Sequence, residues 1–143
     1  MPGTIGAMAA PMPKAERMAS GKKPGTIGEL QAWDLKTGKL AWSTKFQDQI
    51  WTPTFVTGGN LVFWGTPEGF LKAADAKTGK ELWKFNTGSG ITAGAMTYVI
   101  DGKQYVAVVS GRTQSIPAFL GELGEKMVNA SPEGGTLFVF ALN

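Results

Sequence analysis

Two repeated carboxylates and five tryptophans are the side chains through which this 143-residue chain could most readily do chemistry. Asp34 and Asp75 stand forty-one residues apart in matching settings, "AWDLKTGKLAW" (residues 32–42) and "AADAKTGKELW" (residues 73–83). A carboxylate in an exposed loop could serve as a general base. Repetition at equivalent positions assigns both instead to the turn, where an Asp side chain hydrogen-bonds the turn backbone. Gly38 and Gly79 fall where such a turn needs a positive φ angle. There is no His and no Cys, which excludes thiol chemistry, disulfides, thiolate zinc sites and an imidazole base from this chain. The net charge is only +3 and its lysines are spread along the chain, partly in the "KTGK" turns, so no nucleic-acid footprint is expected.

The elements that must carry these residues are short strands. Aligning residues 28–42 with 69–83 gives nine identities in fifteen positions, including Gly28/Gly69, Leu30/Leu71, Asp34/Asp75 and Trp42/Trp83. A period near 40 residues marks stacked supersecondary units, such as propeller blades of four strands each. "GELQAWD" and "GFLKAAD" before the turn, with "KLAWSTKF" and "KELWKFN" after it, predict strands with one buried face. Each copy is then an outer hairpin. "TPTFVTG" and "GNLVFWGT" supply an inner hairpin between them, and "ITAGAMTYVIDG" with "KQYVAVVSG" repeats that inner hairpin. "GGTLFVFALN" adds a further strand, with Leu137 over Leu30 and Phe140 over Trp33.

The expected fold is therefore all-β, a partial β-propeller of about two blades of four-stranded antiparallel sheet. Residues 1–23 read as a linker or the remnant of an upstream blade, 24–50 as the outer hairpin of one blade, and 51–86 as a complete blade. Residues 87–143 read as a final blade of three strands, with an inserted loop at 111–135. Strand counts of two, four and three predict a piece of a larger ring, since such units need neighbours on both sides. No run approaches the ~20 apolar residues of a membrane span. The N-terminus lacks the basic start and apolar stretch of a secretory signal, so an export signal would have to lie elsewhere.

The repeated "A-x-D-x-x-T-G-K-x-x-W" resembles the tryptophan-docking motif of the pyrroloquinoline quinone (PQQ) dependent alcohol dehydrogenases. The run from "GGNLVFWGTPEGFLKAADAKTGKELWKFN" to "DGKQYVAVVSG" is similar to the C-terminal blades of their methanol and ethanol dehydrogenase branch, and "GGTLFVFAL" to the last strand of that subunit. The resemblance implies a fragment of an eight-bladed propeller in which docking tryptophans, here Trp42 and Trp83, wedge between neighbouring blades. Asp34, Asp75, Gly38 and Gly79 would complete the docking motif.

For Trp51, at the start of an innermost strand, two readings stand. The resemblance implies the flat floor under the PQQ ring, where a quinone stacks well on an aromatic face; otherwise it is a core tryptophan between blades. Trp64 alternates with Val62 and reads as blade-face packing, and Trp33 is replaced by Ala74 in the second copy.

The implied reaction is oxidation of a primary alcohol to an aldehyde with hydride transfer to PQQ, beside a calcium or lanthanide ion. The family's metal ligands, catalytic Asp and paired cysteines come from earlier blades and have no counterpart here, so the isolated chain is expected to be inactive. The implied partners are the remaining blades of the catalytic subunit and a cytochrome c electron acceptor, and the implied location is the periplasm. The inserted loop departs from relatives: Ile116-Pro117 stands where they tend to carry Trp-Pro, and "PAFLGELGEKM" predicts a short helix. Two alternatives remain open, a non-catalytic binding propeller built on the same repeat, and a gene fragment with no independent role.

Overall fold

A computed structural model describes residues 28–46, 52–112, 122–129 and 131–141. Its elements in chain order are β1 (Gly28–Asp34), β2 (Lys39–Phe46), β3 (Phe55–Val56), β4 (Leu61–Gly65), β5 (Phe70–Asp75), β6 (Glu81–Asn86), β7 (Met96–Ile100), β8 (Lys103–Ser110), α1 (Glu122–Asn129) and β9 (Thr136–Ala141). The strands form three antiparallel sheets, ordered β1-β2, β3-β4-β5-β6 and β7-β8-β9. The fold is all-β and propeller-like, with α1 the one helix among the described residues.

Register ties the three sheets to one template. Leu61 pairs with Asp75, Phe63 with Ala73 and Gly65 with Leu71 across β4 and β5. Tyr105 with Ala141, Ala107 with Val139 and Val109 with Leu137 repeat that ladder across β8 and β9. Leu137 therefore occupies the Leu71 position. Both copies of the repeat also carry the same irregularity, a register shift at Ala32/Trp33 and at Ala73/Ala74. The extra residue is Ala41 in β2 and Leu82 in β6, so the bend falls on the strand that follows each turn.

In the middle sheet, β4 is buried along its apolar run, and β5 departs at Ala73 and Ala74 from the expectation of one buried face. Val62, Phe63 and Trp64 are consecutive and all buried, as are Ala73 and Ala74. The cause is placement: this sheet lies between the other two and packs on both sides. On one face Val62, Trp64 and Ala74 meet Leu30, Trp42 and Phe46 of the first sheet. On the other, Phe63, Ala73 and Leu71 meet Val106 and Val108 of the third. A strand covered on both faces reads as a continuous apolar run instead of alternating.

Helix α1 occupies part of the inserted stretch and extends past Met127, the last residue of the predicted segment, to Asn129. Glu122 and Glu125 lie in its first turn, where negative charge complements the helix dipole. No helix of the described residues is long and apolar enough to cross a membrane.

Candidate functional site

The two ends of the sheets are chemically different. One end carries the tight turns. Asp34 Oδ1 accepts from the backbone N–H of Lys36 at 2.8 Å and of Thr37 at 3.3 Å. Asp75 Oδ1 accepts from Lys77 N at 3.0 Å, Thr78 N at 2.8 Å and the Thr78 hydroxyl at 2.9 Å, while its Oδ2 accepts from Asn60 Nδ2 at 2.7 Å. These bonds, the Thr78 hydroxyl first, hold the Asp75 carboxyl below the usual carboxylate range. Both carboxylates are occupied with turn backbone, which leaves no catalytic geometry at either.

Trp42 leaves its own sheet to reach the second turn. Its Nε1 donates to the Ala76 carbonyl at 2.9 Å, and its ring lies on Gly79. A Cβ at Gly79 would sit 2.6 Å from Trp42 Cε3, and φ there is +72°, so glycine is required twice over. Trp83, the repeat equivalent, meets the third sheet differently. It is 39% exposed, stands edge-on to Phe140 with centroids 5.2 Å apart, and stacks beside Phe85 at 6.1 Å. An apolar hollow of about 380 Å³ opens beside it, lined by Leu61, Phe63, Leu82 and Phe140 among others. Trp64 is 3% exposed and packs between the first two sheets, its Nε1 without a partner among the described residues. Trp33 is half exposed and donates to Gln31 Oε1.

At the opposite end, small polar residues knit the connections together. Thr52 is buried and its hydroxyl donates to the Ile91 carbonyl at 2.7 Å. The Ile91 N–H donates to Thr66 O at 3.0 Å and the Gly111 N–H to Gly90 O at 2.7 Å. Thr87 and Ser110 hydroxyls lie 2.8 Å apart, and Ser110 Oγ donates to Ser89 O at 2.9 Å. Ser89 Oγ donates to Pro132 O and Ser131 Oγ to Pro67 O. Arg112 crosses this cluster, donating to Val128 O at 2.8 Å and to the Glu133 carboxylate at 2.5 Å. None of Ser89, Ser110, Ser131 or Arg112 stands out in the sequence, because these partners lie 16 to 64 residues away and leave no periodic trace.

Trp51, the residue assigned to the cofactor, lies outside the described residues, as does the Ile116-Pro117 pair. Thr52, three residues ahead of β3, lies at the polar end. Among the described residues no group of three His, Cys, Asp or Glu side chains could hold a metal ion. Arg112, a cation of the polar end, is committed to Glu133 and backbone carbonyls. These residues do not fit a metal–quinone pair by themselves, and no catalytic step is derived from them.

An open run of antiparallel sheets keyed by a tryptophan and a glycine turn defines a piece of a β-propeller. Comparison with known proteins specifies the kind. Residues 44–106 match the family "PQQ: Glucose/ethanol/alcohol dehydrogenase, beta-propeller domain". The quinoprotein alcohol dehydrogenase PedE of Pseudomonas putida is 46% identical over 116 residues, covering 81% of this chain and 18% of that protein. The lanthanide-dependent methanol dehydrogenase of Methylorubrum extorquens is 54% identical over 87 residues, 61% of this chain and 14% of that protein. A solved europium-containing methanol dehydrogenase superposes with a TM-score of 0.71 at 37% identity, over 84% of this chain and 24% of the other.

The chain belongs to the PQQ-dependent, or quinoprotein, alcohol dehydrogenase family. It spans less than a fifth of the length of either of these two curated relatives. These matches favour the dehydrogenase branch over the binding propeller.

Proposed function

We propose that this chain is the part of a PQQ-dependent alcohol dehydrogenase that supplies C-terminal propeller blades and the aromatic floor for the cofactor. The catalytic base and metal ligands would come from the rest of the subunit. The observation that carries this reading is the 46% identity to a quinoprotein alcohol dehydrogenase over most of the chain. The Trp42 contact with Ala76 and Gly79 supports a docking role for Trp42 and, by repetition, for Trp83. When bound, PQQ with its calcium or lanthanide ion would accept hydride from a primary alcohol. Trp51 would present an aromatic face to the quinone, while the Thr52 hydroxyl, fixed on Ile91 O, would hold the start of β3 in place. A periplasmic setting and a cytochrome c acceptor would go with that role.

The test is a chimaera in which this chain replaces the matching stretch of a quinoprotein alcohol dehydrogenase. With PQQ and metal added, the chimaera is expected to oxidise primary alcohols, and Trp51→Ala within it to lose saturable PQQ-dependent fluorescence quenching. A folded chimaera with no turnover would sink the reading. The isolated chain, titrated with PQQ plus calcium or a lanthanide, is expected to show no Trp51-dependent quenching and to sediment as a monomer.

A further inference from the structure

The connection between β8 and β9 is far longer than its counterpart in the middle sheet. Residues 66–69 suffice to join β4 to β5, whereas residues 111–135 lie between β8 and β9. What holds the returning half of this long connection is concentrated on one side chain. Arg112 lies two residues past the end of β8, and its guanidinium is largely buried, with 19% of the side chain exposed. Nη1 donates to the Val128 carbonyl in the last turn of α1 at 2.8 Å and to Ser131 O at 3.3 Å. Nη2 donates to Glu133 Oε1.

The last four carbonyls of a helix have no partner within it and carry the negative end of its dipole. A guanidinium suits them better than an ammonium does, because its planar fork donates in several directions at once. The neck beneath is close-packed. A Cβ at Gly111 would lie 2.7 Å from Gly134 O, so the outgoing and returning strands of the connection touch there. Gly111 N–H is itself bonded to Gly90 O, one residue from Ile91, whose carbonyl takes the Thr52 hydroxyl.

We propose that Arg112 is a positioning residue, a clasp that fixes helix α1 and residues 131–133 onto the polar end of the propeller. Through Gly111, Gly90 and Ile91 it joins them to the segment that begins at Thr52. The helix is then part of the same rigid end as the approach to β3, although all the strands from β3 to β8 separate the two in sequence. The clasp itself rests only on the geometry. Its bearing on cofactor binding rests on the reading given under Proposed function.

Backbone hydrogen exchange on the 143-residue chain tests it, comparing wild type with Arg112→Ala, Arg112→Lys and Glu133→Gln. Arg112→Ala is expected to speed exchange of the α1 amides about tenfold or more, leaving β4 and β5 unchanged. Guanidinium ion at low, non-denaturing concentration is expected to restore the lost protection, which a generally weakened fold would not allow. Arg112→Lys should recover part of it and Glu133→Gln should cost less than Arg112→Ala. Unchanged α1 exchange in Arg112→Ala, or a loss spread over all strands that guanidinium does not reverse, overturns the clasp. If Arg112→Ala does not fold, Arg112→Lys decides alone, since α1 exchange equal to wild type in a variant that cannot fork its donors also overturns it. In the chimaera, Arg112→Ala is expected to weaken PQQ-dependent quenching several-fold. Absence of quenching in the unsubstituted chimaera overturns the cofactor reading and leaves the exchange result standing.

Discussion

Trp42 and Trp83 occupy the same place in the repeat, and their surroundings differ in one respect. Trp42 finds a turn in the next sheet, with the Ala76 carbonyl for its indole N–H and the bare face of Gly79 for its ring. Trp83 finds Phe140 edge-on and an apolar hollow, with more than a third of its surface in water. The indole is the same in both; the neighbouring turn makes the difference. In the third sheet β9 is the outermost described strand, so no turn of this kind stands opposite Trp83 among the described residues. A docking tryptophan is therefore half of a contact, and its energetic worth is set by the sheet that receives it.

That contrast can be broken by substitution, and urea unfolding of the 143-residue chain is the measurement. Trp42→Ala is expected to lower stability by about 3 kcal/mol, the lower range for truncating a packed aromatic, because it leaves a void and frees the Ala76 carbonyl. Gly79→Ala follows at about 2 kcal/mol, from a Cβ that meets the Trp42 ring and a backbone in the left-handed region. Trp83→Ala is expected to cost about 1 kcal/mol, in keeping with its partial exposure. Equal losses for the two tryptophans would remove the distinction drawn between them.

Two smaller effects sharpen it. The Asp75 carboxyl has a lowered pKa in the folded chain, so its charged form is the one that folding favours. Its contribution is present above the unfolded carboxylate value of about 3.9 and is lost as pH falls through the lowered folded value. The stability gap between wild type and Asp75→Asn should accordingly close on acidification below about pH 4; a gap independent of pH would count against the turn bonds as its source. Least of all, Glu81→Gln removes the 2.9 Å ion pair with Lys72, and both partners see enough solvent that a change within about 0.5 kcal/mol is expected.

Much of the architecture is legible in the sequence because it is local and repeated. The Asp–Thr–Gly turns announce themselves by residue type and spacing, and a second copy forty-one residues on supplies the sheet-to-sheet period. The register of β9 on Leu137 follows from the same comparison. Alternation misleads at Ala73 and Ala74, where burial on both faces comes from stacking that no single strand encodes. The polar end is harder still. Ser89, Ser110 and Ser131 are unremarkable residues in sequence, and Arg112 gains its role from carbonyls that α1 brings back to it. Kinship alone singles out Trp51, since a tryptophan ahead of an apolar run has no local feature separating a stacking floor from packing.

The bond from Trp42 to the Ala76 turn also has a direction. One sheet gives the indole and the next receives it on its glycine, so giver and receiver are different surfaces of the same unit. Contacts of this kind propagate head to tail, as heterologous subunit interfaces do, and end only by running into an edge or by closing on themselves. Because each sheet meets only its immediate neighbours, the sense of rotation is written into every junction. In a ring closed on itself, a gene opened at a different blade boundary would encode the same junctions in the same cyclic order, which makes circular permutation a tolerated rearrangement for the closed propeller and not for an open run of its blades.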